Sequence, residues 1–185
     1  MKNILAIDPG DKDSAFVLMT PGYEVDGDIF DKFDNDLMLK QLQLLAHVHK
    51  EDLTVVLEMV ASYGMAVGKE VFDTCVWIGR FAQAAMERGC KVDYVYRMEE
   101  KMALCHDSRA KDTNIRQALI DRFAQFDKKN GKGTKKNPDV FYGFRKDVWS
   151  AFAVGVTWLD KHPEAIEKKI GGQHEAQRSI QKRPG

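Results

Sequence analysis

Two apolar segments that each end on an acidic residue constrain the fold of this chain more than any other feature. The segments NILAID (residues 3–8) and LTVVLE (residues 53–58) end on Asp8 and Glu58. Short apolar runs of this kind predict buried β-strands. Because buried strands of one sheet lie side by side, their carboxyl ends can bring the two carboxylates together. Two adjacent carboxylates repel each other unless a cation lies between them, and Mg²⁺ prefers oxygen ligands.

A third acid, Asp147, opens an otherwise apolar helix that the periodicity predicts over residues 145–160. It can reach the same end of the sheet if that helix packs across the strands. Each acid also has a local explanation, because Asp8 precedes the Pro9-Gly10 turn, Glu58 ends a strand and Asp147 caps a helix. The occurrence of all three acids on these elements, in this order, favours a shared site.

Apolar periodicity and turn residues place the remaining elements around these strands. Further strands are predicted at residues 14–20, 27–33 and 91–97, and further helices at residues 36–50, 69–88 and 112–126. Three consecutive strands followed by alternating helices and strands predict an α/β domain with a mixed sheet. We expect this domain to span residues 1–161 and the polar residues 162–185 to form a flexible tail.

Composition and charge narrow the possible classes of protein. The chain has 185 residues, of which 44% are hydrophobic, as in an ordinary single domain. No apolar run is long enough for a membrane span or a signal peptide, and three dispersed cysteines indicate reduced thiols. We therefore expect a cytoplasmic protein.

The two ends of the chain differ in charge. Residues 1–60 hold 5 Lys/Arg against 12 Asp/Glu, whereas residues 127–185 hold 13 against 7. Carboxylates suit a metal site and basic residues suit a phosphate backbone, so the asymmetry is consistent with different partners for different faces. The alternative is a solvated surface with uneven charge.

The order of several segments resembles the RuvC-type Holliday junction resolvases of the RNase H-like superfamily. ILAIDPG (residues 4–10), VVLE (55–58) and DVWSAFAVG (147–155) are similar to the first strand, central strand and last helix of that family. Residues 94–101 and 114–122 resemble its supporting strand, loop and helix, so the resemblance runs from about residue 3 to residue 160. The segment at residues 62–81 is most similar to phage members of the group.

This resemblance implies a fold and an activity. The fold would be an RNase H-like mixed five-stranded sheet with helices on both faces. The activity would be a crossover-junction endodeoxyribonuclease of recombination and repair, cutting Holliday junctions and related forks or flaps and leaving a 5′-phosphate and a 3′-hydroxyl. Asp8, Glu58 and Asp147 would be the catalytic residues, holding two Mg²⁺ ions, or Mn²⁺ in their place, on the scissile phosphate. A phage-encoded protein would act in the host cytoplasm.

One position departs from the family pattern. The family commonly places two acids three residues apart at the start of the last helix, where this chain has Asp147 and Ser150. Serine is a neutral and poor Mg²⁺ ligand, so we expect a site of three carboxylates with Ser150 at the substituted fourth position. Asp112 is an alternative fourth acid, although a role as helix cap already explains it.

Basic and aromatic residues near these acids are candidates for DNA binding. In proteins similar to this one, an aromatic residue soon after the central acid stacks on junction bases, and Tyr63 follows Glu58 by five residues. The polar segment at residues 127–137 is rich enough in lysine to follow a phosphate backbone, or it is only a solvated linker. Tyr63 could instead cover the edge of the core. The predicted contacts are Tyr63, Lys69, Lys101, Arg109, Lys111, Lys132, Lys135 and Lys136.

The predicted helix at residues 69–88 has apolar residues around most of its circumference, including Phe72, Val76, Trp77 and Phe81. A surface helix needs only one apolar stripe, so this pattern favours a homodimer contact, as the corresponding helix forms in the resolvases. Burial inside the monomer is the alternative.

Three other functions compete with a DNA resolvase. An actin-like phosphotransferase also has an acid after its first strand, but it needs two such domains and a longer chain. A branched-DNA-binding protein with weakened catalysis would follow from the missing acid at Ser150. An RNA-processing nuclease of the same fold would share every feature described above.

Overall fold

The computed structural model describes residues 3–62, 64 and 66–166, with the side chains of Asp28 and Glu51 left aside. The predicted tail is therefore described only as far as residue 166, and residues 167–185 lie outside the described part. The elements in chain order are β1 (Asn3–Asp8), β2 (Asp13–Met19), β3 (Val25–Asp34), α1 (Asn35–His49), β4 (Leu53–Met59), α2 (Lys69–Glu87), β5 (Lys91–Tyr96), α3 (Arg97–Cys105), α4 (Asp112–Phe123) and α5 (Lys146–Lys161). A short 3₁₀ turn at Lys50–Asp52 joins α1 to β4.

The five strands form one mixed sheet in the order β3-β2-β1-β4-β5. Strand β1 is antiparallel to β2 and parallel to β4, and β4 is parallel to β5. This arrangement confirms the predicted mixed five-stranded sheet. In the parallel β1–β4 pair Ile7 lies opposite Leu57, so Asp8 and Glu58 are the next residues on two neighbouring strands.

Each face of the sheet is covered by helices, and the strands contribute alternate residues to the two sides. Ile7 and Leu57 pack in the core that includes residues of α1 and α2, whereas Ala6 and Val56 pack in the core that includes α4 and α5. Because Asp8 and Glu58 follow Ala6 and Val56 by two residues, both lie on the side of the sheet that α5 covers.

Helix α5 approaches the sheet closely at Gly155. A Cβ at this position would lie 3.1 Å from the Cβ of Ala6 and closer still to the Sδ of Met19. The absence of a side chain lets the helix pack against β1 and β2, and its first turn, with Asp147, then lies near the end of β1.

Some details of the elements differ from the sequence expectation. In α1 the apolar residues Leu37, Leu44 and Val48 are 43%, 55% and 63% exposed. The apolar residues of α1 cover a wider arc than the face that packs on the sheet, and the buried ones are Met38, Leu42, Leu45 and Ala46. The helix predicted over 112–126 ends at Phe123, since Ala124 is extended.

Helix α3 was not assigned a helical range from the sequence alone. Its residues, RMEEKMALC, are mostly polar, and it follows β5 directly without a turn. In the described residues, no helix is both long and apolar enough to cross a membrane.

Candidate active site

The three predicted acids line one cavity of about 540 Å³ at the carboxyl end of β1 and β4. Asp8 and Glu58 end or nearly end their strands, and Asp147 lies in the first turn of α5. Ser150, one helical turn after Asp147, lines the same cavity, as expected for the substituted ligand position. The structure therefore brings together the side chains that sequence reasoning placed at separate elements.

Burial and mutual repulsion dominate the electrostatics of Asp8 and Glu58. Burial raises the pKa of Asp8 well above its usual range, and the nearby Glu58 carboxylate raises it further. Burial also raises the pKa of Glu58 to about 7, with a second contribution from Glu100. A hydrogen bond between the two carboxyl groups raises the pKa of Asp8 and lowers that of Glu58.

A fourth acid beside this pair, Glu100, was missed by the sequence analysis. Its side chain is 0% exposed, and its Oε1 atom has no hydrogen-bond partner. Burial raises the pKa of Glu100 to about 8, although Arg97 acts in the opposite direction. An acid in a polar helical segment normally faces solvent, so the sequence contains no signal that would distinguish Glu100 from its neighbour Glu99.

Arg97 bridges the acids at the start of α3. Its Nη1 atom lies 2.6 Å from Oε2 of Glu100 and 3.9 Å from Oε1 of Glu58, and its Nη2 atom lies 2.5 Å from Oδ1 of Asp112. Asp112 is the first residue of α4 and lines the cavity. It is therefore an ion-pair partner of Arg97, not the helix cap that the sequence suggested, since Lys111 holds the cap position.

Asp147 is paired with Lys32, which the sequence analysis did not single out. The Nζ of Lys32 lies 2.8 Å from Oδ2 of Asp147 and 3.7 Å from Oδ2 of Asp13. Lys32 is on β3, two strands away from β1, so only the sheet order brings it to Asp147.

The carboxylate oxygens around the cavity are chemically suited to bind a hard divalent cation. Carboxylate oxygens are the ligands that Mg²⁺ prefers, and Oε1 of Glu100 is a buried acceptor without a partner. Among the described residues, no three His, Cys, Asp or Glu side chains are already arranged as a metal-binding group. Arg97 and Lys32 contact acids of this set, so a cation would have to replace these internal ion pairs.

Only one of the predicted DNA-binding residues in the described part lines the cavity, and it is Lys132. Lys69 forms an ion pair with Asp73 at the start of α2. Tyr63 lies outside the described residues. The others do not line the cavity: Lys101, Arg109, Lys111, Lys135 and Lys136.

Three basic residues that the sequence analysis did not propose also line the cavity: Arg116, Arg145 and Lys146. Arg116 extends from α4, and the other two lie at the start of α5. The cavity therefore has both acidic and basic walls.

The lysine-rich segment between α4 and α5 is braced by two acids. The carboxylate of Asp139 accepts hydrogen bonds from the backbone N–H groups of Gln125, Phe126, Asp127 and Val140. The carboxylate of Asp127 accepts from the backbone of Asn130, Lys132 and Gly133. These contacts organise the backbone of the loop, while its side chains Lys128, Lys129, Lys135 and Lys136 remain exposed.

The overall fold is similar to two solved structures from Thermus thermophilus. The structure of RuvC matches with a TM-score of 0.60 and 16% sequence identity, covering 91% of this chain and 96% of that chain. RuvC in complex with a Holliday junction substrate matches with a TM-score of 0.59 and 14% identity, covering 85% and 92%. The chain has a RuvC-like fold.

This likeness confirms the RNase H-like architecture expected from the sequence. At such low sequence identity it concerns the fold, and the activity has to be argued from the site. No protein-family profile matches the sequence, and no curated protein matches it either.

Proposed function

We propose that this protein is a metal-dependent, structure-selective endonuclease that cuts branched DNA. The observation that carries the proposal is the convergence of Asp8, Glu58 and Asp147 on one cavity of a RuvC-like fold. The similar Thermus thermophilus protein was solved with a Holliday junction substrate, which favours Holliday junctions and related forks or flaps as substrates here. The similarity of residues 62–81 to phage members further suggests a phage-like resolvase.

Asp8, Glu58 and Asp147 would hold the divalent ions, with Mg²⁺ as the natural choice and Mn²⁺ as a substitute. Bound there, such ions supply an activated water and stabilise charge on the attacking and leaving oxygens of the phosphodiester. Asp8, which lies on the central strand between β2 and β4, is the residue we expect to be least replaceable.

The residues of this chain must first release their internal partners. Asp8 and Glu58 must both be ionised to act as ligands, and a cation between them would lower the pKa values that burial and repulsion raise. Arg97 can leave Glu58 and keep its pairs with Glu100 and Asp112, which are much shorter contacts. Lys32 can leave Asp147 and remain near Asp13.

A nicking assay tests the proposal directly. Purified protein is incubated with a four-way junction, a flap, a linear duplex and an RNA substrate, with Mg²⁺, Mn²⁺ or EDTA. We expect cutting of the branched DNA substrates that depends on the divalent ion and is lost in Asp8→Asn. Preferential cutting of RNA would instead identify an RNA-processing nuclease of the same fold.

A second candidate is a branched-DNA-binding protein with weakened catalysis. Two observations favour it, namely the neutral Ser150 in place of an acid and the absence of an assembled three-ligand group among the described side chains. Tight junction binding without cutting in either metal would support this candidate and contradict the endonuclease.

Selectivity for the branch point is assigned to Tyr63 as part of the proposal. Bases at a junction are partly unstacked, so a ring can insert there without first breaking a stack, which in linear DNA costs a few kcal/mol. Because base–aromatic stacking returns about 1–3 kcal/mol, Tyr63→Ala should slow junction cutting by roughly one to two powers of ten. Tyr63→Phe should have little effect, and equal losses on linear DNA would contradict the assignment.

We further propose a homodimer that forms through helix α2. One side of this helix is buried in the monomer, including Ile78 and Phe81, but Phe72 and Val76 are 60% and 61% exposed. Their exposure leaves an apolar side available for a second copy. Light scattering that finds only a monomer at micromolar concentration would contradict this part of the proposal.

A further inference from the structure

Two of the basic residues that line the cavity are Arg116 and Lys132. Among the described residues, neither of these two basic side chains forms an ion pair, whereas Arg97 in the same cavity contacts three carboxylates. Two positive charges beside an acidic centre therefore lack a counter-ion within the described part of the protein.

Arg116 is held in place without satisfying its donors. Its guanidinium carbon lies 4.8 Å from the centre of the Trp149 ring, and Trp149 is itself buried in the aromatic core. The Nε of Arg116 is buried and has no hydrogen-bond partner. A planar guanidinium that is stacked on an aromatic ring and lacks acceptors is suited to bind an anion such as a phosphate.

Lys132 is presented to the cavity by a braced backbone. Its N–H donates to Oδ2 of Asp127 at 3.2 Å, and its carbonyl oxygen accepts from the N–H of Asp139 at 2.9 Å. Lys129, Lys135 and Lys136 are in the same loop, but they are exposed and do not line the cavity. The loop therefore brings Lys132 to the cavity and leaves these three lysines at the surface.

We propose that Arg116 and Lys132 form a phosphate subsite that holds the DNA backbone phosphate entering the acid-lined cavity. The inference rests on the proposed function, since a phosphodiester is the anion that the cutting reaction would bring to Asp8 and Glu58. It assigns substrate binding to Arg116, which sequence reasoning did not identify, and it separates Lys132 from the other loop lysines.

The test compares substitutions that change the charge equally at different places. Arg116→Gln and Lys132→Gln remove a cavity charge, and Lys129→Gln removes an exposed charge from the same loop outside the cavity. Binding of a fluorescein-labelled immobile four-way junction is measured by anisotropy over a salt series in EDTA. Single-turnover cutting is measured separately in Mg²⁺, and melting temperatures check that each variant is folded.

We expect each cavity variant to lower junction affinity or cutting rate by about 10- to 100-fold, as for loss of a hydrogen bond to a charged group. The slope of log affinity against log salt should become shallower by about one unit for each lost phosphate contact. Lys129→Gln should stay within about twofold of the wild type, and Arg116→Lys should recover part of the loss.

Equal losses in Lys132→Gln and Lys129→Gln would overturn the subsite, because they would show general attraction by the loop. Wild-type affinity and rate in folded Arg116→Gln would overturn it as well. A wild-type protein that binds the junction but cuts nothing would contradict the proposed function only, because the anisotropy measurement would still test the subsite.

Discussion

Acidic side chains have opposite electrostatic surroundings in the acid-lined cavity and in the loop between α4 and α5. In the cavity, Asp8 and Glu58 face each other, and burial raises the pKa of both. In the loop, Asp139 is only 6% exposed, but four backbone N–H groups hold the pKa of its carboxyl well below its usual range against the effect of burial. The hydrogen-bond donors around a carboxylate therefore help to decide whether its charge stabilises the fold.

The loop acids have hydrogen-bond partners that stabilise their charge, whereas the cavity acids lack enough of them. Backbone N–H groups satisfy the loop acids completely, and no external ligand is needed there. The cavity acids crowd like charges together and leave an oxygen of Glu100 without a partner, which costs free energy of folding. Such unfavourable arrangements concentrate at functional sites, where a ligand supplies the missing charge.

The largest effect is expected from Asp8→Asn. Asn keeps the size of the side chain but cannot act as an anionic ligand, so cutting of a four-way junction should fall by about a thousandfold or more, while junction binding stays largely intact. In EDTA the melting temperature should be unchanged or higher, because a buried acid is replaced by a neutral group. Cutting within a few-fold of the wild type would remove Asp8 from the site.

Asp139→Asn should lower the stability of the protein, in contrast to Asp8→Asn. Four backbone donors would lose their anionic acceptor, so the free energy of unfolding should fall by about 3–5 kcal/mol, as measured by urea titration. In the wild type this stabilisation is present above the unfolded pKa of about 3.9 and is lost as the pH falls below it. The variant should lack this acid-dependent loss; an unchanged unfolding curve would show that Asp139 does not brace the loop.

Without divalent ions, the cavity should give the reverse pH dependence. The pKa of Glu58 is about 7 in the folded protein against 4.5 as its ordinary value, so between these values the folded state binds more protons than the unfolded state. Glu58 should therefore contribute a fall in stability of about 2–3 kcal/mol as the pH rises from 4.5 to 7, and the raised pKa values of Glu100 and Asp8 should extend the fall above pH 7. Mg²⁺ should reduce this fall; the same slope in Asp8→Asn/Glu58→Gln would assign it to other groups.

The sequence predicted the cavity acids because their signal is local. An apolar strand that ends on Asp8 or Glu58, and an apolar helix that begins near Asp147, can each be recognised from a short segment. Five strands in a mixed sheet were also predictable, since the alternation of elements limits the possible topologies.

The counter-ions and the loop were not predictable from the same signals. Lys32 reaches Asp147 only because of the order of the strands in the sheet. Glu100 is buried because α3 packs against α4 and α5. The loop did contain a local signal, since Asp127 followed by Asn130-Gly131 is typical of a turn in which an aspartate accepts backbone hydrogen bonds. Its high lysine content left two interpretations open, namely a contact with a phosphate backbone and a solvated linker.

The smallest effect is expected from Ser150→Asp, which tests whether a fourth acid makes the folded cavity more dependent on a bound cation. Ser150 lies one helical turn from Asp147 and lines the cavity, so Ser150→Asp should lower the Mg²⁺ concentration needed for half-maximal cutting about three- to tenfold. In EDTA the added charge should lower the melting temperature through repulsion, and Mg²⁺ should raise it by more than in the wild type. Ser150→Asn, which has nearly the same size without the charge, should show neither change. If Ser150→Asp requires as much Mg²⁺ as the wild type or more, then Ser150 does not face the bound ion and three carboxylates from the sequence motif are the complete set.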